Sequence, residues 1–212
     1  MARRVLELSG IALALAFVAG CASTSSIEGR LRIPSERGLA KASAETPGRG
    51  GARDTMDAVV MAWPQDGSRG SRGEARASIV QAGGRFVPRV LVIEPGTIVE
   101  FENHDHIFHN AFCVSTPRPF DLGRYAPGQT REMKFEETGI YHIFCELHEK
   151  ELAFVVVAPD RWHTRPDPDG RFVLDDVPPG TYLVRAWHPL IGNRTRKVEV
   201  SKKEPAQIDF GH

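Results

Sequence analysis

From Ala77 onward, short apolar runs recur at close spacing, and turn residues separate them. Pro95-Gly96, Pro127-Gly128 and Thr138-Gly139 mark these turns, and no segment of helical periodicity lies between the runs. Short strands at regular spacing with turn signals predict an antiparallel sandwich or barrel. The runs are ASIVQ, RVLVI, TIVEFE, IFHNAF, TREMKF, IYHIF and LAFVVV.

After Val157 the same pattern starts again, with Pro178-Pro179-Gly180 as a turn between the first two of four runs. In residues 195–200, positions 195, 197 and 199 are polar, and two of the three positions that alternate with them are valine. This pattern is typical of a strand with one half-buried face. A chain of 212 residues has room for two small domains. The sequence therefore predicts a second all-β domain. Its runs are GRFVLDDV, TYLVRAWH, TRKVEV and AQIDF.

The N-terminus has the pattern of an export signal. Arg3 and Arg4 precede a short apolar stretch, Ile11 to Ala19, which Gly20 and Cys21 follow. A basic region, a short apolar region and a small-residue exit indicate a signal peptide over residues 1–20 and an exported protein. Residues 21–54 are rich in Ser, Gly, Arg, Ala and Pro, which predicts a disordered tether.

The tetrapeptide VAGC, Val18 to Cys21, resembles the bacterial lipoprotein box. The resemblance implies that Cys21 carries lipid and becomes the first mature residue, and two or more acyl chains give a stable anchor. The protein is expected in the periplasm, anchored to a bacterial membrane. We expect that membrane to be the outer membrane. The alternative is an ordinary secretory signal in which Cys21 has no role.

The predicted division after the tether is a first domain over residues 55–158 and a second over 159–212. The segment Asp57 to Trp63 is expected to be the first strand of the first domain. Because 27 basic residues balance 27 acidic ones, nothing in the charge favours nucleic acid as a partner.

Cys145 and His148 lie at C-x-x-H spacing in a predicted loop between two strands. Copper used for electron transfer is bound by a thiolate and two imidazoles in a plane, with a weak axial ligand. The stretch FENHDHIFHNAF offers His104, His106 and His109 as the second imidazole. We favour His109, which opens an apolar strand, and keep His106 in reserve.

Residues 85–157 resemble a cupredoxin of the plastocyanin and amicyanin type. The matching features are Phe101 to Asn103, His109-Asn110, the Gly139-x-Tyr approach and Cys145-x-x-His148. The resemblance implies a Greek-key sandwich with copper near one end, bound by His109, Cys145, His148 and an axial methionine. Phe108, Phe112 and Phe144 would then pack around the metal.

The chain departs from that family at the axial ligand. The short-loop spacing places Glu151 where methionine is expected, and the longer spacing places Ala153 there. A carboxylate is a harder donor than a thioether and favours the oxidised metal, so the potential should fall if Glu151 binds.

Residues 161–210 resemble the carboxypeptidase regulatory-like fold, a small transthyretin-like sandwich. Asp169 to Phe172 and the turn Val177 to Tyr182 carry this resemblance, which implies a structural role or partner binding. The tandem is also similar to bacterial methylamine-utilisation proteins.

The sequence thus predicts an exported, lipid-anchored copper protein that passes one electron to or from a cytochrome or a dehydrogenase. No general base stands out, so an enzyme is not expected. Three alternatives stay open: copper capture and delivery, a zinc site, and a metal-free interaction module closed by a Cys113 to Cys145 disulfide.

Overall fold

The computed structural model describes residues 24–33, 57–67, 75–114 and 117–211. These ranges contain β-strands and turns and no α-helix, which confirms the all-β class. It follows that no helix in them is long and apolar enough to cross a membrane. Numbered along the chain, the strands are β1 (Ser25–Leu31), β2 (Val59–Pro64), β3 (Arg76–Gln81), β4 (Phe86–Val87), β5 (Val90–Ile93), β6 (Thr97–Asn103), β7 (His109–Cys113), β8 (Phe120–Tyr125), β9 (Thr130–Phe135), β10 (Gly139–Phe144), β11 (Leu152–Val157), β12 (His163–Thr164), β13 (Arg171–Val177), β14 (Gly180–His188), β15 (Gly192–Val200) and β16 (Ala206–Phe210).

Four sheets form two sandwiches. The first sandwich packs the sheet β5-β11-β10-β7-β8 against the sheet β4-β3-β6-β9. The second packs β12-β2-β14-β15 against β13-β1-β16. Strand β6 shows why the layers form: its residues alternate strictly between buried and half-buried positions, as a strand with one apolar face requires.

Strand β1 corrects the predicted tether. Ser25–Leu31 pairs antiparallel with β13 and parallel with β16, and Ile27 and Leu31 are buried in the core of the second sandwich. The polar composition of the surrounding segment conceals this strand, since only these two apolar side chains point inward. Of the residues predicted as tether, residues 24–33 are described, and residues 21–23 and 34–54 lie outside the described ranges.

Gly29 explains how β1 fits between its two neighbours. A Cβ atom at this position would lie 1.8 Å from the backbone oxygen of Ile208 and 2.8 Å from the ring of Phe172. Only glycine allows the backbones to approach so closely. Gly29 therefore allows β1 to lie close to Ile208 of β16 and Phe172 of β13.

Strand β2 corrects the predicted domain boundary. Val59–Pro64 pairs with β14 and β12, so it belongs to the second sandwich and not to the first. Val60 and Ala62 face the core of that sandwich, whereas Val59 and Met61 face the first sandwich. A run such as VVMAW is apolar at successive positions because both of its faces are buried. The second sandwich is thus built from three chain segments, and residues 75–158 are inserted between its strands β2 and β12.

The two sandwiches share an apolar interface. Phe154 and Val156 of β11 pack against Met61 and Trp187 of the second sandwich. The rings of Phe154 and Trp187 lie 5.2 Å apart in an edge contact. Near them Arg89 forms an ion pair with Asp57, which precedes β2. These contacts place the Trp187 end of β14 beside the start of β11.

Candidate metal centre

Four potential metal ligands meet at one end of the first sandwich. His109 is the first residue of β7, Cys145 follows β10, and Glu151 precedes β11, with His148 in the loop between them. One donor atom from each of the four lies within 4.8 Å of the other three. The structure therefore brings together the complete ligand set that the sequence predicts.

Strand pairing explains why these residues meet. Phe144 of β10 pairs with Leu152 of β11, so residues 145–151 form the loop that joins the two strands. Phe144 also pairs with Phe112 of β7, which places β7 beside the same loop. Within the loop the N–H of Glu151 donates to the carbonyl of His148 at 3.0 Å and folds the carboxylate back towards Cys145.

The donor atoms converge on a common point. Cys145 Sγ lies 3.8 Å from Nδ1 of His109 and 3.6 Å from Nδ1 of His148. Glu151 Oε1 lies 3.3 Å from the first of these nitrogens and 3.1 Å from the second. Both imidazoles thus turn the same ring nitrogen towards the thiol and the carboxylate.

The two oxygens of Glu151 have different roles. Oε2 accepts a hydrogen bond from the amide nitrogen of Gln81 at 2.7 Å, and the Gln81 carbonyl oxygen accepts one from the Tyr125 hydroxyl. Oε1 is buried and has no partner with hydrogen-bond geometry in the described chain, despite its short distances to the imidazoles. An unpartnered buried carboxylate oxygen is costly. A cation held between the four donors would satisfy it.

The environment of Cys145 acts on the thiol in two directions. Burial raises the pKa of Cys145, and the nearby Glu151 carboxylate raises it further. The backbone N–H groups of Asn110 and Leu147 point at the sulfur and lower the pKa. Such N–H groups stabilise a thiolate once a metal replaces the proton.

Asp105 orients His109 from behind. Its carboxylate accepts from His109 Nε2 at 2.9 Å and from the N–H groups of Gly83 and Gly84 at 2.6 and 3.0 Å. These bonds lower the pKa of Asp105, with Gly84 contributing most. Because Nε2 donates to a carboxylate, Nδ1 keeps its lone pair for a metal.

The sequence patterns did not predict that Gln81, Asp105 and Tyr125 belong to the site. The signal for Gln81 is a polar residue that ends the apolar run ASIVQ, and its side chain is fully buried. Asp105 lies in the same histidine-rich stretch as His109, but only the fold brings it to the ring nitrogen.

The candidate site reaches the surface through one of its four potential ligands. The His148 side chain is 33% exposed, whereas those of His109 and Glu151 are fully buried. Apolar neighbours in sequence are also exposed: Phe108 at 56% and Leu147 at 37%. Phe108 was expected to pack around the metal, and this is wrong, because it points outward from the loop before His109.

Phe112 and Phe144 do pack together, with ring centroids 5.8 Å apart. The other two histidines of the upstream stretch stay outside the cluster: His104 is exposed beside Glu102, and the reserve candidate His106 is exposed as well. Cys113 is buried in the sandwich core and is not joined to Cys145 by a disulfide. The predicted lipidation residue Cys21 lies outside the described ranges.

No family model and no curated protein matches the chain. Among solved structures it is similar to a Cu-containing nitrite reductase from Thermus scotoductus, with 26% identity and a TM-score of 0.38, over 41% of this chain and 23% of that one. It is also similar to a purple cupredoxin from Nitrosopumilus maritimus, with 26% identity and a TM-score of 0.36, over 39% of this chain and 99% of that one. A reduced mutant of amicyanin shares 20% identity with a TM-score of 0.37, over 45% of this chain and 97% of that one.

Each of these matches covers less than half of the chain. The chain also spans about a quarter of the length of the nitrite reductase, for which the covered share is 23%.

Proposed function

We propose that residues 75–158 hold a mononuclear copper ion and use it to transfer single electrons. The observation that carries this proposal is the convergence of Cys145 Sγ, two imidazole Nδ1 atoms and the unpartnered Glu151 Oε1 on one point. A thiolate with two imidazoles is the donor set that copper takes in electron-transfer sites.

Copper would supply a one-electron couple, and the protein's own residues supply the conditions that such a couple needs. The strands beside Cys145 and His109 hold two ligands in a rigid frame. Asp105 also fixes the ring of His109, and Gln81 fixes the carboxylate of Glu151. Burial of three of the four donors would keep water from the metal. Together with the rigid frame, this would keep the ligand geometry similar in both oxidation states.

The partly exposed edge of His148 is the proposed point of electron exit. Phe108 and Leu147 are the sequence neighbours of His109 and His148, and both expose apolar surface. Exposed apolar surface of this kind suits brief docking of a redox protein. We propose a cytochrome or a dehydrogenase as that partner.

We further propose that the protein is exported and anchored through lipid on Cys21, and that it is a carrier and not an enzyme. The four donors already surround the central point, whereas a catalytic metal site keeps an open position for substrate. A disulfide between Cys113 and Cys145 would favour the metal-free alternative, and both cysteines are thiols in this structure.

Copper capture and delivery is the second candidate function. The buried carboxylate of Glu151 favours it, because a hard donor stabilises the doubly charged ion and opposes reduction. A site of this kind would hold Cu(II) and release it to an acceptor without redox cycling.

The test uses soluble protein that begins at Thr24. Cu(II) is added, and the visible and electron paramagnetic resonance spectra are recorded beside those of Cys145→Ala and the matched control Cys113→Ala. We expect a strong thiolate-to-copper band that disappears only in the Cys145 variant. A reversible couple by voltammetry supports electron transfer, whereas stable Cu(II) that passes to an acceptor protein supports delivery. Equal spectra for both variants, or preferential binding of Zn(II) with no copper band, would refute the proposal.

A further inference from the structure

Strand β1 begins immediately after the proposed lipid anchor. Thr24 Oγ1 donates to Asp176 Oδ1 at 3.2 Å, and Ser25 Oγ donates to the carbonyl of Glu204 at 3.1 Å. Only Ala22 and Ser23 separate Cys21 from Thr24. At about 3.3–3.6 Å per residue, the Cα atoms of Cys21 and Thr24 are therefore at most about 11 Å apart.

A set of side chains surrounds the point where β1 starts, and we call it the anchor end. Trp162 donates from its indole nitrogen to the carbonyl of Asp176, and Arg161 stacks on the Trp162 ring at 4.9 Å. Lys202 and Lys203 are exposed in the turn that leads into β16 and lies beside Ser25. Tryptophan and long basic side chains are the residues that favour the interface between a membrane and water.

The metal site lies at the opposite end of the molecule, and strand register shows this. Strand β1 runs from Ser25, opposite Val177, to Leu31, opposite Phe210. Phe210 lies at the end where Arg194 contacts Gly211, and Arg194 pairs with Ala186 next to Trp187. The far end of β1 is therefore the Trp187 end of β14.

Trp187 in turn contacts Phe154, which is three residues beyond the ligand Glu151. Tyr182, which contacts Trp162 at the anchor end, lies at the other end of β14. Trp187 lies five positions after Tyr182, a distance of about 16 Å at about 3.3 Å per residue. The anchor and the metal are thus separated along the strands as well as across the sheet layers.

We infer that the anchor end rests on the lipid bilayer and that the second sandwich serves as a rigid spacer, which holds the metal site away from the membrane. This inference depends on the proposed lipidation of Cys21. A disordered tether of more than thirty residues, as residues 21–54 would form, allows any orientation. A link of two residues to an ordered strand keeps the start of β1, and the side chains around it, close to the bilayer.

The test uses the full-length protein, matured with its own signal and placed in vesicles of phosphatidylethanolamine and phosphatidylglycerol. Mass spectrometry first establishes whether Cys21 carries lipid. A phosphatidylcholine with a nitroxide on its headgroup then quenches tryptophan fluorescence. Trp162→Phe shows which part of the quenching comes from Trp162, and a Gly/Ser insertion between Ser23 and Thr24 gives a matched control with a flexible link.

We expect quenching in the wild-type protein, loss of most of it in Trp162→Phe, and loss in the insertion variant although its lipid is retained. Lipid on Cys21 without quenching of Trp162 would overturn the orientation and leave the anchor intact. Absence of lipid would overturn both. The copper spectrum reports separately on the metal site in every sample, so failure of the metal-binding proposal is distinguished from failure of this inference.

Discussion

Gln81 and Glu151 join the two sheets of the first sandwich at the end that carries the candidate metal site. Gln81 closes β3 in one sheet, Glu151 precedes β11 in the other, and the amide nitrogen of Gln81 donates to Glu151 Oε2 at 2.7 Å. The bond holds the carboxylate so that its other oxygen, Oε1, points at the imidazoles. A residue from outside the loop thus orients the fourth potential ligand.

Replacing Gln81 by leucine should therefore change the copper site without removing a ligand. Glu151 Oε2 would lose its donor, and leaving a buried acceptor unsatisfied costs about 1–3 kcal/mol. We expect a lower free energy of unfolding and a shift in the visible copper band as the carboxylate reorients. Gln207→Leu, at an exposed position of β16, is the matched control. Identical copper spectra for both variants would mean that Gln81 does not position Glu151.

Glu151→Met should raise the reduction potential. The carboxylate stabilises the oxidised ion more than a thioether does. Each tenfold loss of that preference raises a one-electron potential by about 59 mV, so we expect a rise of at least this size by voltammetry. Glu151→Gln keeps the size of the side chain and removes its charge. Its reduction potential should lie between those of the wild-type protein and Glu151→Met. An unchanged potential in both variants would show that Glu151 does not bind the metal.

Asp105→Asn should weaken metal binding. His109 would lose the carboxylate that accepts from Nε2, and loss of such an outer partner typically reduces metal affinity about 10–100-fold. The control is Glu102→Gln, which alters a similar carboxylate and histidine pair, Glu102 with His104, that lies outside the site. Affinity is measured by competition with a chelator. Equal losses for the two variants would argue against a specific role of Asp105.

Metal binding should release a proton from Cys145. Burial keeps the pKa of this thiol above its ordinary value, so the metal-free protein carries the proton at neutral pH. Binding requires the thiolate, and affinity should therefore rise about tenfold per pH unit until the raised pKa is reached. Calorimetric titrations in two buffers of different ionisation enthalpy count the protons released. If the binding enthalpy is the same in both buffers, no proton is released and this prediction is wrong.

Gly29→Ala should destabilise the second sandwich. The added methyl group would overlap the backbone oxygen of Ile208, and overpacking of this kind costs about 1–3 kcal/mol or more. Gly180→Ala is the control, because a Cβ there meets only the Tyr182 ring at 3.5 Å. Chemical denaturation followed by tryptophan fluorescence gives the free energy of unfolding of both variants. A neutral Gly29 variant would show that β1 is not seated between β13 and β16.

Local patterns in the sequence were sufficient for the fold class and for the candidate ligands. Alternation of apolar residues and turn pairs predicts strands because side chains on a strand alternate between its faces. The spacing of Cys145 and His148 predicts a shared site because both lie on one short loop. Glu151 was predicted only from the resemblance of this loop to a known copper loop, and nothing local shows that its carboxylate is buried.

Tertiary structure decided how distant segments associate. Ser25–Leu31 reads as polar linker because only Ile27 and Leu31 are buried, and its partner β16 lies about 180 residues further along the chain. Val59–Pro64 reads as the first strand of the first domain, yet its two buried faces place it between the two sandwiches. Gln81 and Asp105 reach the metal end only through the pairing of β3 and β6 with their neighbours. Local periodicity specifies which face of a strand is buried, but which strand lies beside it depends on packing and backbone hydrogen bonds between segments far apart in sequence.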